Sequence, residues 1–210
     1  MNDALMNYWN TKHQSYSRDS IVCDDWLSEF SSIIDAVSLP ILDLGCGSGN
    51  DTLWLINRGN QVVAADFSEN AIKNIMVNFP EALSADCFDM ATGLPYGDNS
   101  FSVVVADLSL HYFDEATTFS VLDDIRRVLI PGGHLIARVN SMSDINFGAG
   151  QGQELEKHLY STSDGRYKRF FDEEDIRYFF KNYELDVVRE EVMGRYSKEK
   201  KLFVVNTIVK

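Results

Sequence analysis

Short apolar runs alternate with amphipathic stretches through the middle of the chain. Apolar side chains three and four positions apart predict helices at residues 51–59, 68–79 and 114–130. Short runs rich in valine, leucine and alanine predict buried strands at residues 41–44, 61–66, 82–86, 101–110 and 132–140. This alternation predicts an α/β fold with a doubly wound, mostly parallel sheet that is covered by helices on both faces.

The two ends of the chain show other patterns. The segment CDDWLSEFSSIIDAV has helical spacing and is followed by Pro40, so residues 1–39 are predicted to form an N-terminal helical cap. Near the other end, apolar runs at residues 184–193 and 201–210 are joined without an intervening helix. Two such strands most simply form an antiparallel hairpin at an edge of the sheet.

Length and composition narrow the class of protein. With 210 residues and 45% hydrophobic content, residues 1–210 are expected to form one domain. No apolar run approaches the ~20 residues of a membrane span, and MNDALMNYWN lacks the basic end and apolar core of a secretory signal. We therefore expect no membrane partner and a cytoplasmic location, with Cys23, Cys46 and Cys87 as reduced thiols.

The net charge of −13 bears on the class of substrate. A surface with this charge repels phosphate backbones on average, and the sequence contains no lysine-rich or arginine-rich tract. A nucleic-acid partner is therefore disfavoured, whereas small cationic ligands are mildly attracted.

The segment LDLGCGSGND, residues 42–51, joins the first predicted strand to a helix. Gly45 and Gly47 let the backbone turn tightly and approach a ligand, and the next strand ends in Asp66, whose carboxylate can accept hydrogen bonds from ribose hydroxyls. This succession predicts a site for a nucleotide-like ligand. A dinucleotide fingerprint would need glycine at position 50, where this chain has Asn50, so an NAD-dependent reductase is a weaker alternative.

These motifs resemble those of class I methyltransferases that use S-adenosylmethionine. The first motif of that family resembles LDLGCGSG, and the similarity continues through Asp66, the Ala85–Asp86 pair, VVVADLSLHYF and IRRVLIPGGHLIARV. The resemblance implies a Rossmann-like sheet of seven strands with the last one antiparallel. It also implies S-adenosylmethionine as the cofactor and S-adenosylhomocysteine as the product.

The resemblance further implies which residues hold the cofactor. Gly45, Cys46 and Gly47 would surround its methionine part. Asp43 would hold the amino group, directly or through water, and Asp66 would bind the ribose.

Other positions are implied for the adenine and the sulfonium. Phe67 would lie beside the adenine, or serve as an ordinary core aromatic, and the same alternatives apply to Phe88. Asp86 would accept the adenine amino group, with Cys87 at the same rim. The residues expected to run past the sulfonium are Asp107, Leu108 and Ser109.

The methyl acceptor is less well defined by the sequence. His111 follows the fourth strand and is a candidate general base, with local packing as the alternative. The segment ADLSLHYF lacks the two prolines that are typical of enzymes methylating amino groups of bases, which together with the acidic charge favours a small-molecule acceptor. No metal is expected. A cofactor-binding accessory protein without turnover is the alternative function, and the oligomeric state is left open.

Two segments outside the family motifs are expected to determine which acceptor binds. Tyr8, Trp9 and Tyr16 of the N-terminal cap either cover the cofactor or pack a terminal helix. Residues 140–171 are predicted to be a substrate-side insertion, whose glycine-containing part either closes over a ligand or forms a surface loop.

Cations at the end of this insertion suggest an acceptor with an anionic group. We expect Arg138, Arg166 or Arg169 to hold that group beside Tyr167, because arginine binds carboxylate and phosphate with two parallel hydrogen bonds. The alternative is local pairing with the acids that flank residues 165–171.

Overall fold

The computed structural model describes residues 3–14, 17–21 and 23–210, and ten strands lie within them. They are β1 (Ile41–Leu44), β2 (Val62–Asp66), β3 (Ser84–Cys87), β4 (Phe101–Asp107), β5 (Leu129–Asn140), β6 (Gln153–Glu156), β7 (Leu159–Ser161), β8 (Tyr167–Arg169), β9 (Glu184–Met193) and β10 (Lys200–Ile208). Seven of them form the central sheet, in the order β3-β2-β1-β4-β5-β10-β9.

Strand direction in the central sheet agrees with the sequence prediction. Strands β1 to β5 pair in parallel, and β10 is antiparallel to both β5 and β9. The predicted hairpin at the sheet edge is confirmed, and β10 is its inner strand. The prediction of a seven-stranded, mostly parallel Rossmann-like sheet with an antiparallel last strand is therefore confirmed.

Six α-helices are described. They are α1 (Asp3–Lys12), α2 (Ser31–Ile34), α3 (Asn50–Asn57), α4 (Glu69–Asn78), α5 (Glu115–Val128) and α6 (Glu173–Phe179). The N-terminus of α4 is capped as the sequence indicates, because Ser68 Oγ accepts a hydrogen bond from the backbone N–H of Ala71. Helix α5 ends at Val128, earlier than predicted, because the chain joins β5 at Leu129, which pairs with Phe101.

Alternation along the strands divides the core between the two faces of the sheet. Leu42 and Val104 belong to the apolar cluster that includes side chains of α5 and α6. Ile41 and Val103 belong to a second cluster, with side chains of α3 and of the segment that contains α2. A third cluster packs α4 against β2. Helices thus cover both faces, as a doubly wound sheet requires.

The N-terminal region is less regular than the sequence predicts. In place of one helix over residues 23–37, a 3-10 helix (Asp25–Phe30) leads into the single turn of α2. Leu27 and Ile34 are fully buried, so the apolar pattern reflects packing on the sheet. Among the described residues, none of the helices combines the length and apolar character needed to cross a membrane.

Residues 140–171 contain more structure than the glycine-rich sequence indicates. Strands β6, β7 and β8 form a small antiparallel sheet, and its connection back to the main sheet includes a parallel bridge between Ser141 and Phe171. Strands of three or four residues are too short to show a period-two pattern, so sequence periodicity does not predict them.

Candidate functional site

A cavity of about 660 Å³ lies at the carboxyl ends of β1, β2 and β4. This is where doubly wound sheets bind their ligands, and the volume is within the ~300–1,000 Å³ typical of small-molecule sites. The cavity is lined by the loops after these strands, by α1, by the insertion and by β10. The segments that the sequence assigned to cofactor and acceptor therefore meet at one place.

The glycine turn forms one wall of this cavity. Gly45 and Gly47 both have positive φ, at 84° and 52°. A Cβ at Gly45 would lie 2.3 Å from Cβ of Ser109, so a larger residue would force the ends of β1 and β4 apart. A Cβ at Gly47 would lie 3.4 Å from Cε1 of His13, which follows α1. Gly45, Cys46 and Gly47 line the cavity, as their predicted role requires.

Asp66 lies at the end of β2 and is only 7% exposed, yet it lines the cavity. One carboxylate oxygen accepts the backbone N–H of Ser68 at 2.8 Å, and the other accepts that of Gly47 at 3.0 Å. Burial raises the pKa of this carboxyl group. Because a carboxylate has about four lone-pair sites, Asp66 can still accept hydrogen bonds from a ligand. The neighbouring Phe67 also lines the cavity.

The end of β4 contributes Asp107, Leu108 and Ser109 to the lining. Leu108 has a φ of 54°, which is uncommon for a residue with a branched side chain. The hydroxyl of Ser109 donates a 2.7 Å hydrogen bond to the carbonyl oxygen of Leu44, tying this loop to β1. Their predicted role beside the sulfonium stays a prediction.

Helix α1 covers the cavity and is attached to α4. Asn10 Oδ1 accepts a 2.7 Å hydrogen bond from Ser68 Oγ, and the carbonyl oxygen of Asn10 accepts one of 2.9 Å from Asn70. The rings of Trp9 and Tyr112 meet edge to face at 6.2 Å. Polar and aromatic contacts therefore hold α1 between α4 and the loop after β4.

The predicted aromatic cover is found in part. Tyr8 and Trp9 of α1 both line the cavity. The third residue of that prediction, Tyr16, lies outside the described residues.

The placement of Asp43 corrects one prediction. Its side chain is 1% exposed and does not line the cavity, so a direct contact with the cofactor amino group does not fit this position. Its carboxylate instead accepts the hydroxyl of Thr52, which links β1 to α3. Burial raises its pKa to about 7, and the nearby Asp107 and Asp66 act in the same direction. The acid that lines the cavity here is Asp51, which accepts the indole N–H of Trp26 at 2.9 Å.

The three residues expected at the adenine rim lie outside the cavity lining. Asp86 accepts the hydroxyl of Tyr96 at 2.8 Å, and Phe88 packs edge to face on the same ring at 5.7 Å. Cys87 is exposed. Of this region only Met90, which the sequence did not indicate, lines the cavity. The adenine roles of Asp86, Cys87 and Phe88 stay predictions.

His111 lines the cavity and is 2% exposed. Among the described residues its Nδ1 has no hydrogen-bond partner. Burial holds the pKa of the imidazole well below its usual range, and the charges of Lys168, Lys200 and Arg166 add to this effect. The ring is therefore neutral near pH 7. Its role as general base stays a prediction.

Arg138 does not face an acceptor, and this prediction is corrected. Its Nε and Nη2 each donate a 2.7 Å hydrogen bond to Asp107, and its Nη1 donates one of 2.8 Å to Asp24. The guanidinium lies 4.4 Å from the ring centroid of Trp26, and the side chain is 3% exposed. Arg138 therefore joins the N-terminal region to β4 and β5.

The other three predicted acceptor residues have separate environments. Arg166 lines the cavity, stacks on Tyr8 at 3.7 Å and donates hydrogen bonds to Asp164, so both its predicted placement and its predicted local pairing are found. Arg169 is turned away and donates to Glu156 at 2.6 Å.

These placements correct two more predictions. Neither Tyr167, at 41% exposure, nor Arg169 lines the cavity. Side chains along a strand alternate between its two sides, so residues 166 and 168 share one side and residues 167 and 169 share the other.

Several lining residues were missed at the acceptor side of the cavity. They are Tyr112, Asn140, Phe147, Lys168, Arg195, Tyr196 and Lys200. The position of Lys168 in the cavity lining could be predicted, because a strand at residues 167–169 places Lys168 on the same side as Arg166. Tyr112 lies in the motif VVVADLSLHYF, directly after His111, whereas the others come from distant segments that no local motif marks.

One group of possible metal ligands lies among the described residues. It consists of His158, Asp172 and Asp175, whose ligand atoms lie within 4.8 Å of one another. Asp172 and Asp175 already form the capping box of α6, and Asp175 also accepts from His158 at 2.6 Å. These residues do not line the cavity, and their contacts account for their positions.

Residues 42–137 match the family model described as a methyltransferase domain. This match confirms the resemblance to methyltransferases that the sequence motifs predict. An uncharacterised methyltransferase of Synechocystis sp. is 36% identical over 93 residues, which cover 44% of this chain and 43% of the relative. The tRNA(Thr) (cytosine(32)-N(3))-methyltransferase of Saccharomyces cerevisiae is 28% identical over 205 residues, covering 85% of this chain and 32% of that protein. The chain thus spans less than half the length of these curated relatives.

A solved methyltransferase structure has the same fold. The 1,6-didemethyltoxoflavin-N1-methyltransferase of Burkholderia thailandensis, with S-adenosylhomocysteine bound, matches with a TM-score of 0.62 and 18% identity. The match covers 88% of this chain and 78% of that one. S-adenosylmethionine is the cofactor of this methyltransferase family.

The chemistry of the cavity lining fits S-adenosylmethionine. S-adenosylmethionine carries a positive sulfonium, and Asp51, Asp66 and Asp107 all line the cavity. Asp66 retains acceptor capacity for ribose hydroxyls, and the backbone at Gly47 has space that a side chain would fill.

Proposed function

We propose that this chain transfers the methyl group of S-adenosylmethionine to a small molecule bound in the cavity beneath α1. The observation that carries the proposal is the shared cavity. The glycine turn, Asp66, the end of β4 and the insertion all line one volume that α1 covers. Such an arrangement holds cofactor and acceptor side by side and limits the acceptor to a size that fits below the helix.

The cofactor supplies a methyl group on a positively charged sulfur, which is already activated for in-line displacement. The chain then has to align the acceptor with that group and exclude water. In the proposed arrangement, Asp66 accepts the ribose hydroxyls and the backbone at Gly45 and Gly47 lies against the methionine part. Leu108 and Ser109 set the position of the reacting end.

A proton must leave if the acceptor is a hydroxyl or a protonated nitrogen. His111 is placed to accept it, because its imidazole is neutral and lines the cavity. A nucleophile without a proton to lose would need no base, and alignment alone would then serve.

The ribose contact is tested with Asp66→Asn. We expect this variant to bind S-adenosylhomocysteine about 2–4 kcal/mol more weakly than the wild type, because the charged acceptor of two hydroxyls is lost. Calorimetric titration measures the loss. Adenine, which lacks ribose, is expected to bind both proteins equally, and Glu69→Gln, an exposed acid on the neighbouring helix, serves as the control. Equal losses for both ligands would assign Asp66 a structural role only.

The proton-transfer role is tested with His111→Gln. For an acceptor that loses a proton, we expect the maximal rate to fall by roughly 10²–10⁴, with unchanged affinity for S-adenosylhomocysteine. His134→Gln, on β5 outside the cavity lining, is the matched control. A rate within a few-fold of the control would leave His111 as a packing residue.

Methylation of a tRNA base is a second candidate function, since the S. cerevisiae relative is a tRNA methyltransferase by name. The net charge of −13 disfavours methylation of tRNA, because binding to phosphates needs cations on the surface. Formation of S-adenosylhomocysteine with tRNA, but with no member of a small-molecule panel, would favour this candidate. Cofactor binding without any turnover would favour the accessory role instead.

We further propose that the chain works in the cytoplasm. Cys23, Cys46 and Cys87 are free thiols, as expected in a reducing compartment.

A further inference from the structure

The charges around the cavity are divided between two groups of elements. Three acids line it: Asp66 and Asp107 are the last residues of β2 and β4, and Asp51 lies in the first turn of α3. The insertion and β10 instead contribute Lys168 and Lys200. Both ammonium groups act on His111, so they lie close to the same part of the cavity. Lys200 pairs with Asp144 at 3.0 Å, so Lys168 is the cation of this pair whose charge a ligand would balance.

Lys168 has no carboxylate partner among residues 3–14, 17–21 and 23–210. Its Nζ donates one 2.8 Å hydrogen bond to the carbonyl oxygen of Phe147 and lies 5.2 Å from the ring centroid of Phe170. Burial and the neighbouring charge of Lys200 together lower its pKa to about 8. Partial burial and a nearby second ammonium group both disfavour the charged form of a lysine. A bound anion would therefore stabilise Lys168 in its charged form.

Asn140 adds a second, independent feature. Its side chain is fully buried, and its Oδ1 accepts a 2.6 Å hydrogen bond from Lys200 Nζ. This contact fixes the amide orientation, and Nδ2 is left without a hydrogen-bond partner in the described part of the chain. A buried donor without an acceptor is destabilising, and Asn140 lines the cavity. A ligand oxygen at this position would satisfy it.

The donors that remain available can be counted from their chemistry. An ammonium group has three N–H donors. Lys200 uses two of them, on Asn140 and on Asp144 at 3.0 Å, and Lys168 uses one. Both lysines and the amide of Asn140 thus retain donors for a ligand. Phe147 and Tyr196 line the same side of the cavity and provide an apolar surface next to them.

We propose that Lys168, Lys200 and Asn140 bind an oxyanion, a carboxylate or a phosphate, of the methyl acceptor. This inference rests on the proposed function and defines the substrate class as small aromatic or apolar molecules that carry one such group. It replaces the anion site first expected from Arg138 and Arg169. Arg166 lies at the edge of this site, where Asp164 already balances its charge.

The test uses three probes of similar size: benzoate, phenyl phosphate and the neutral benzamide. Each is titrated by calorimetry into the protein saturated with S-adenosylhomocysteine. We expect at least one of the two anions to bind ten times more tightly than benzamide, or better. In Lys168→Gln this preference is expected to fall at least fivefold. In Lys181→Gln, which removes an exposed cation just after α6 and outside the cavity lining, it is expected to remain.

The outcomes separate this inference from the proposed function. If S-adenosylhomocysteine binds but benzamide matches both anions, or none of the three probes binds, the oxyanion site is wrong and the cofactor site stands. The oxyanion site is also wrong if the Lys168→Gln variant has the thermal stability of the wild type and still binds the anions more tightly than benzamide. If S-adenosylhomocysteine itself does not bind, the proposed function fails first. The stronger of the two anions identifies the group that the acceptor carries.

Discussion

A Gly47→Arg variant is expected to bind S-adenosylhomocysteine at least ~100-fold more weakly than the wild type, a loss of about 2.7 kcal/mol or more. Gly47 lines the cavity, and a Cβ there would already lie 3.4 Å from His13. The rest of an arginine side chain would have to occupy the space between the glycine turn and α1. Calorimetric titration measures the loss directly.

The positive φ of Gly47 requires a matched control. Any L-residue at this position carries backbone strain of roughly 1–2 kcal/mol, whether or not it blocks a ligand. Gly59→Arg provides the comparison, because Gly59 has a φ of 84° with nothing within 4 Å of its added Cβ. We expect both variants to lose similar thermal stability and only Gly47→Arg to lose the ligand. Normal binding by Gly47→Arg would show that the cofactor does not lie on this turn.

The free energy of unfolding of an Arg138→Met variant is expected to be about 3–5 kcal/mol lower than that of the wild type. The methionine keeps the apolar stem but leaves Asp24 and Asp107 without their main cationic partner, and breaking a buried ion pair from one side leaves an uncompensated charge. Chemical denaturation measures the difference. Arg195 also contacts both acids and is expected to offset part of the loss.

Arg58→Met is the matched control for this variant. Arg58 also pairs with an acid, Asp35, and lies over a tryptophan, Trp54 at 4.8 Å, but its side chain is 36% exposed. We therefore expect a much smaller loss of stability, since solvent screens an exposed pair. Equal losses in the two variants would contradict the structural role of Arg138. A stable Arg138→Met protein with weakened binding of benzoate would restore its original assignment to the acceptor.

Local sequence patterns were sufficient to predict the central sheet and to find the glycine turn and Asp66 in the cavity wall. Gly45, Gly47 and Asp66 are marked by backbone requirements that act over a few residues, namely positive φ, close approach and a strand that ends in an acid. The hairpin of β9 and β10 is similarly visible as two apolar runs without a helix between them. In each case the structural requirement and the sequence pattern that reveals it lie in the same short segment of the chain.

The acceptor side of the cavity could not be predicted in this way. Arg138 is paired with Asp24 across 114 positions of sequence, whereas Lys168 lines the cavity and has no carboxylate partner among the described residues. Which cation finds a carboxylate depends on long-range packing, which a single sequence does not show. Arg169 was misplaced for a simpler reason, because β8 was not recognised as a strand and its alternation was ignored.

The position of β10 in the sheet has a consequence for the order in which the chain can fold during translation. β10 lies between β5 and β9 but follows both in sequence. While residues 200–208 are still within the ribosome, β9 has no strand to pair with and β5 has an open edge. We therefore expect the nascent chain to pass through a stage in which the sheet stops at β5. Such an intermediate, with an unpaired edge, is the form most prone to aggregation and the one that a chaperone would bind.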